Sequence, residues 1–403
     1  MQDTIWIHGL YKSQFGLLGA MSKELTDAFN AKGYDARQYS HDNMPSDGIL
    51  FFMNVPLSLD DLPPNLFTAN PSMRALQLFV DHPFGLPDNI IDQWSEKTDL
   101  KNYRLCLPCL DDVHLLRPRF PKLVHSWIPH GIPRNSLCDL DTLTMDHYNN
   151  REFDVIVTGS IRPKKEIDAT VNSIQNPHMV SVIHDITNMM IRDPRLGYVA
   201  ACDLALGSRG IITGKWDTQK FLWNLVIAEV NRFRRIQTVR ALQGLKVGVF
   251  GSKEWLPECT GTIHYAGEVE YAQCSSAYAR GRVGLAWGPT QFVHSYSERI
   301  MQAMAGGACV VADDRLLIRQ DFNGSMSKES ANPTAKLFDW SGTNIAAARA
   351  AVDHQLANPK ESLAMAIRGR EHVERSCLWE HRVDEMANLA NSCRRPAPTP
   401  QPV

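Results

Sequence analysis

His294-Ser295-Tyr296-Ser297-Glu298-Arg299-Ile300-Met301-Gln302-Ala303-Met304-Ala305-Gly306-Gly307, continued by Ala308-Cys309-Val310-Val311-Ala312 and Asp313-Asp314, is the stretch whose reading decides the fold. Ser295 with Glu298 three residues later has the spacing of a capping box, which predicts a helix of about three turns beginning near Ser295. The Gly306-Gly307 pair supplies its stop, and the apolar run after it reads as a buried strand. Val283 to Trp287, upstream, is a second apolar run, so strand, helix and strand follow one another. That succession builds a parallel sheet. It puts the helix N-terminus at the carboxyl edge of the strands, where open α/β sheets bind ligands.

The same alternation extends outward in both directions. Thr4 to His8, Ile49 to Val55, Leu76 to Val80, Tyr103 to Leu107 and Leu123 to Ile128 read as strands of a first domain. Phe15, Leu18, Met21, Leu25 and Phe29 recur at helical spacing and stop at Lys32-Gly33. Residues 132–152 are polar and turn-rich and read as a connection. Strands resume at Phe153 to Val157, Lys246 to Phe250, Thr262 to Ala266 and Ala308 to Ala312, with a helix predicted over Tyr271 to Arg280. The division that follows is 1–150 and 151–392, with a helical insertion at about 166–242. The proline-rich tail 393–403 is expected to be disordered. A chain of 403 residues is too long for one ordinary core, so two α/β domains with a cleft between them are expected.

Composition narrows the function classes. With 44% hydrophobic and 21% charged residues and a formal net charge of -2, the chain has no footprint for sequence-independent nucleic-acid binding. No window approaches the roughly 18 to 20 apolar residues of a membrane span. The Met1 to Ile7 start has no signal-peptide pattern, so a cytoplasmic protein is expected. Nine scattered cysteines fit reduced thiols, Cys106 and Cys109 included.

A helix N-terminus offers backbone N–H groups and partial positive charge, which suits the diphosphate of a nucleotide-sugar. Glu298 and Gln302, four apart, share a face on which one can hydrogen-bond ribose hydroxyls. Asp139-Leu140-Asp141 copies a metal-binding Asp-x-Asp but follows no clear strand, and no carboxylate cluster for magnesium is visible, so no metal is expected. Gly207 to Lys215 lacks the glycine spacing of a phosphate-binding loop, and Trp216 stands where its Ser or Thr would be.

The helix-Gly-Gly-strand element resembles the signature of glycosyltransferases of the GT-B fold, with two Rossmann-like domains. The wider run is similar to the spore-maturation CgeB/YkvP-like group: Lys246 to Gly251, Tyr265-Ala266-Gly267-Glu268-Val269-Glu270-Tyr271, Val283 to Trp287 and Glu298-Arg299 to Gly306-Gly307 occur in order. In the N-terminal half the likeness rests on Leu78-Phe79-Val80-Asp81-His82-Pro83 and Ile128-Pro129-His130-Gly131. The resemblance implies a sugar donor held by the second domain and no cofactor beyond that co-substrate. Gly159, Ser160, Arg162 and Lys164 would lie beside the diphosphate, with Gly251 on the neighbouring strand end. The Gly267 to Val269 turn would contact the base, and Glu298, Arg299 and Gln302 the ribose and phosphates. Many retaining members carry a glutamate where this chain has Gln302, and His294 stands where an earlier glutamate would fall.

A base for the acceptor's proton is then expected from the first domain. Asp81 and His82 end one predicted strand. His8 ahead of Gly9 and His130 ahead of Gly131 occupy comparable positions. Protein, a cell-surface glycan or a modified nucleobase are the acceptors the resemblance admits. Two other classes fit the same architecture: a sugar-nucleotide 2-epimerase, needing paired carboxylates around the sugar, and a non-catalytic nucleotide-sugar binder.

Overall fold

The computed structural model describes residues 3–9, 13–39, 45–54, 73–85, 100–211, 216–324, 332–339 and 345–392. It divides into two units, one formed by Met1–Pro133 with Leu378–Val403 and the other by Arg134–Cys377.

The first unit holds β1 (Ile5–His8), β2 (Ala36–Tyr39), β3 (Gly48–Met53), β4 (Met73–Leu78), β5 (Tyr103–Leu107) and β6 (Val124–Trp127). All pairings are parallel, in the order β2-β1-β3-β4-β5-β6. Every residue of β3, β4 and β5 is buried, as central parallel strands covered on both faces must be. Strand β2 escapes the sequence reading because it is short and its middle residues, Arg37 and Gln38, are exposed. The helix Leu17–Ala31 buries Leu18, Met21, Leu25 and Phe29, as their spacing predicts. Phe15 falls outside it, in a left-handed conformation with φ 55°.

The second unit holds β7 (Phe153–Thr158), β8 (Val247–Phe250), β9 (Ile263–Gly267), β10 (Gly281–Leu285), β11 (Cys309–Asp313) and β12 (Lys336–Phe338). This sheet is also parallel, ordered β12-β11-β10-β7-β8-β9. The chain reverses its direction of winding between β7 and β10, which makes the carboxyl ends of those two strands the topological switch point. Val155, Val157, Val247, Val249, Val283, Leu285 and Val311 fill the core around Trp255. Helices Lys164–Asn172, Pro177–Arg192, Tyr198–Gly207 and the long Trp216–Ala241 lie between β7 and β8 in the chain.

The sequence division places the join near residue 150; the structure places it after Pro133. The turn-rich 134–152 stretch is not a free connection. It folds onto the second unit, where Leu143 and Tyr148 pack with Cys309, Leu363 and Met365. Leu378 to Asn391, read as the end of the second domain, belongs instead to the first unit. There Trp379 N–H bonds Ile132 O at 3.1 Å and Arg74 bonds Asn391 at 2.7 Å. The 393–403 tail lies outside the described residues. No helix among the described residues is long and apolar enough to cross a membrane.

Candidate active site

Beside the switch point, glycines stand at three successive strand ends. Gly159 ends β7, Gly251 follows β8 and Gly267 ends β9, joined by Gly159 N–H to Phe250 O (2.9 Å) and Gly251 N–H to Gly267 O (3.0 Å). Gly159 at φ 132° and Gly267 at φ 103° occupy backbone conformations that suit glycine. Gly251 has another reason: a Cβ there would sit 2.4 Å from Gly159 O. That carbonyl is fixed by the indole of buried Trp255, whose Nε1 donates to it at 2.6 Å.

Two guanidinium groups meet this edge. A Cβ on Gly159 would lie 3.6 Å from Arg299 Nε and 3.7 Å from Arg235 Cζ. Arg235 comes from the long helix Trp216–Ala241 and donates to the Ser160 carbonyl. Burial, and then the neighbouring Arg299, push its pKa down to about 9. Arg235 remains protonated at neutral pH, and an anion between the two guanidinium groups would relieve their repulsion. Sequence reasoning missed Arg235, one charge among many on a long helix; only its packing against β7 distinguishes it.

The helix that carries Arg299 begins later than its sequence suggests. It spans Glu298–Ala305, with Ser297 at the cap and no side-chain capping bond. The Ser295–Glu298 capping box is therefore not formed, since Ser295 lies two residues ahead of the cap. Ser295 and Ser297 are buried, Glu298 and Arg299 half-buried, and Gln302 is 4% exposed. Val269 is half-buried beyond β9 and Arg162 is exposed beyond β7. Lys164 is paired with Asp168 at 2.5 Å and Glu229 at 3.5 Å. Asp139 of the Asp-x-Asp pattern caps a short turn, accepting from Asp141 N–H at 3.1 Å.

In the first unit the four strand-end candidates differ sharply in exposure. Asp81 is exposed, whereas His8, His82 and His130 are 0%, 5% and 1% exposed. Asp81 is oriented by Asn54, which sits past the end of β3 at φ 44°. Its Nδ2 donates to Asp81 Oδ2 at 2.8 Å, and its Oδ1 accepts from Val80 N–H at 2.6 Å and Asp81 N–H at 3.1 Å. His82 points inward. Its Nδ1 accepts from Phe84 N–H at 3.1 Å, which leaves the proton on Nε2, 3.2 Å from Asp112 Oδ1. Burial lowers the His82 pKa to about 3 and raises that of Asp112 above its ordinary value. Buried and held by Phe84 N–H, His82 supports the turn beneath Asp81.

His8 packs on Tyr39, ring centroids 5.3 Å apart, and its carbonyl accepts from Ser22 Oγ at 2.6 Å. Gly9 follows, its N–H bonded to Tyr39 O at 3.0 Å. His130 lies edge-on to Trp379, and a Cβ on Gly131 would come within 2.8 Å of Trp379 N. That dipeptide receives the C-terminal segment.

Residues 232–388 match the family model described as Glycosyl transferase-like. No curated protein matches the sequence. Among solved structures, sucrose-phosphate synthase from Thermosynechococcus elongatus aligns with a TM-score of 0.52 at 11% identity, over 97% of this chain and 99% of that one. T4 phage BGT, in complex with UDP and Mn2+, gives 0.51 at 12% identity, over 96% of this chain and 100% of that one. A DNA modifying enzyme, beta-glucosyltransferase, whose substrate is uridine diphosphoglucose, gives 0.50 at 13% identity, over 96% and 100%. At such identities the likeness is one of fold. The chain has the GT-B fold of glycosyltransferases, and its residues 232–388 are similar to the glycosyl transferase-like family.

Proposed function

We propose that this enzyme transfers a sugar from a nucleoside-diphosphate sugar to an acceptor, as a member of the CgeB/YkvP-like group of GT-B glycosyltransferases. The observation that carries the reading is the meeting of Arg235 and Arg299 at Gly159, on the switch-point edge of the second sheet. In transfer, the bond between the sugar's anomeric carbon and the diphosphate oxygen breaks, and the acceptor oxygen forms a new bond to that carbon. The charge left on the diphosphate is met by Arg235, Arg299 and the backbone N–H groups at the start of the Glu298–Ala305 helix. Gly267 and Val269 face the base, Glu298 and Gln302 the ribose, and Gly159, Ser160 and Arg162 the phosphates. Asp81, held by Asn54, takes the acceptor's proton.

On this reading the arginine pair supplies the positive charge that a divalent ion would otherwise bring, which favours transfer without a metal. A protein, a cell-surface glycan or a modified nucleobase is the acceptor. The fold neighbours described with UDP or uridine diphosphoglucose favour a uridine donor. The test is incubation with a panel of nucleotide-sugars, following nucleoside diphosphate release with and without EDTA. Slow donor hydrolysis that survives EDTA is the expected result. Conversion to an epimer without diphosphate release would make the protein an isomerase, and binding with no turnover, even with acceptors supplied, a non-catalytic binder.

A further inference from the structure

Inside the first sheet a line of polar groups runs from β5 through β4 to the end of β3. Tyr103 in β5 is 0% exposed and Gln77 in β4 is 1% exposed. The Tyr103 hydroxyl donates to Gln77 Oε1. With its oxygen taken, the Gln77 amide presents Nε2 to the Asn54 carbonyl oxygen, to which it donates at 2.7 Å. The Asn54 side chain is oriented in the same way: its Oδ1 accepts Val80 N–H and Asp81 N–H, so its Nδ2 faces Asp81 Oδ2 and donates to it at 2.8 Å. Each link thus sets the direction of the next, and the line ends on a carboxylate.

An amide and a phenol inside a parallel sheet are costly to bury unless hydrogen-bonded, and apolar side chains of the same size would fill the space without that demand. What the polar pair adds is a hold on Asn54. That residue has φ 44°, a left-handed conformation uncommon outside glycine, and such conformations persist only where the surroundings enforce them. Its N–H donates to Leu78 O at 2.9 Å and its carbonyl is held by Gln77, so the peptide groups on both sides of the left-handed residue are fixed. Asp81, by contrast, is exposed, and an exposed carboxylate has several rotamers open to it.

We propose that Tyr103 and Gln77, acting through Asn54, are positioning residues for Asp81: a buried relay across the sheet holds the carboxylate in the orientation from which it takes a proton. The inference rests on the reading of Asp81 as the base and deepens it. In the reaction the proton passes from the acceptor hydroxyl, or from water in donor hydrolysis, to Asp81, while that oxygen bonds to the anomeric carbon and the diphosphate leaves. The relay exchanges no proton. Its contribution is geometric, and small misplacements of a reacting group are expensive in rate.

Asn54→Gly keeps the left-handed backbone and deletes the amide, whereas Gln77→Met and Tyr103→Phe break the buried links at nearly constant volume. Each is measured alone and combined with Asp81→Asn, as nucleoside diphosphate release from radiolabelled UDP-, GDP- and ADP-linked glucose and N-acetylglucosamine with water as acceptor. The expected result is a kcat lower by about tenfold or more in Asn54→Gly and about threefold or more in the other two, with KM within about twofold of the parent. In the Asp81→Asn background none of the three lowers the rate further by more than about twofold, because the carboxylate they orient is gone. Unchanged kcat in all three, or equal losses with and without the Asp81 carboxylate, would overturn the relay and leave Asp81 as the base. An Asp81→Asn variant as fast as the parent would overturn the base, and a parent that hydrolyses none of these donors would overturn the donor reading; either takes the relay with it.

Discussion

Arg235 and Arg299, distant in sequence, bring their guanidinium groups to one backbone position, each within 3.7 Å of where a Gly159 side chain would begin. The cost of burying two like charges together is visible in the lowered pKa of Arg235. Such a pair is poised for a doubly charged ligand.

Replacing Arg299 with Ala removes a half-buried charge without opening the core. A charge-assisted hydrogen bond is worth about 1.5–3 kcal/mol, so UDP affinity is expected to fall roughly 10- to 100-fold, measured by titration calorimetry. Arg235→Lys retains charge but not the fork that also reaches Ser160, and is expected to lose affinity by a similar factor. Unaltered nucleotide binding in both variants would remove the arginines from the site.

Gly251→Ala places a methyl group 2.4 Å from Gly159 O, where the Trp255 bond leaves little room to retreat. Overpacking of this kind costs about 1–3 kcal/mol. Urea unfolding should show that loss, together with weaker UDP binding, because the displaced strand end is the one beside the arginines.

Asp81→Asn keeps the size of the side chain and removes the base. Transfer to an identified acceptor is expected to fall about 10²- to 10⁴-fold while donor affinity stays constant. His82→Gln, by contrast, is expected to act through thermal stability, since the ring is enclosed by Phe84 N–H and Asp112. A larger catalytic loss in His82→Gln than in Asp81→Asn would reverse the two roles.

Glu24 gives the first unit a pH dependence that one substitution can isolate. Its carboxylate accepts from Trp379 Nε1 at 3.1 Å, and burial raises its pKa from 4.5 to about 7. The folded state thus binds this proton more tightly than the unfolded chain does. The Glu24 contribution to stability is full with the group protonated and is lost as pH rises from about 4.5 to about 7. Glu24→Gln keeps an acceptor for Trp379, and is expected to match the parent at pH 4 and exceed it at pH 8 by at most about 3 kcal/mol in chemical unfolding. An unchanged pH profile in the variant would exclude Glu24 as the cause.

Much of the fold was legible because parallel strands buried on both faces are continuous apolar runs, as in Ile49 to Met53 and Cys309 to Ala312. β12 was not, being three residues long with Lys336 and Leu337 only half-buried. The domain join was misplaced because polarity was taken as separation. The 134–152 stretch is turn-rich yet anchored by Leu143 and Tyr148, two apolar residues too few to show as a pattern.

By itself, the sequence determined the alternation of strands and helices and the glycines at the strand ends, because periodicity and backbone permissiveness are local properties. It also selected Asp81 as a candidate through its place after a strand, and Arg299 through the family resemblance. Tertiary structure alone decided which strand-end residue is exposed, since His8, His82 and His130 look equivalent to Asp81 until neighbouring elements close over them. It alone brought Arg235 to Gly159, and Leu378 to Asn391 back to the first unit. Such contacts join residues far apart in the chain, and no local pattern encodes which distant surface a side chain will meet.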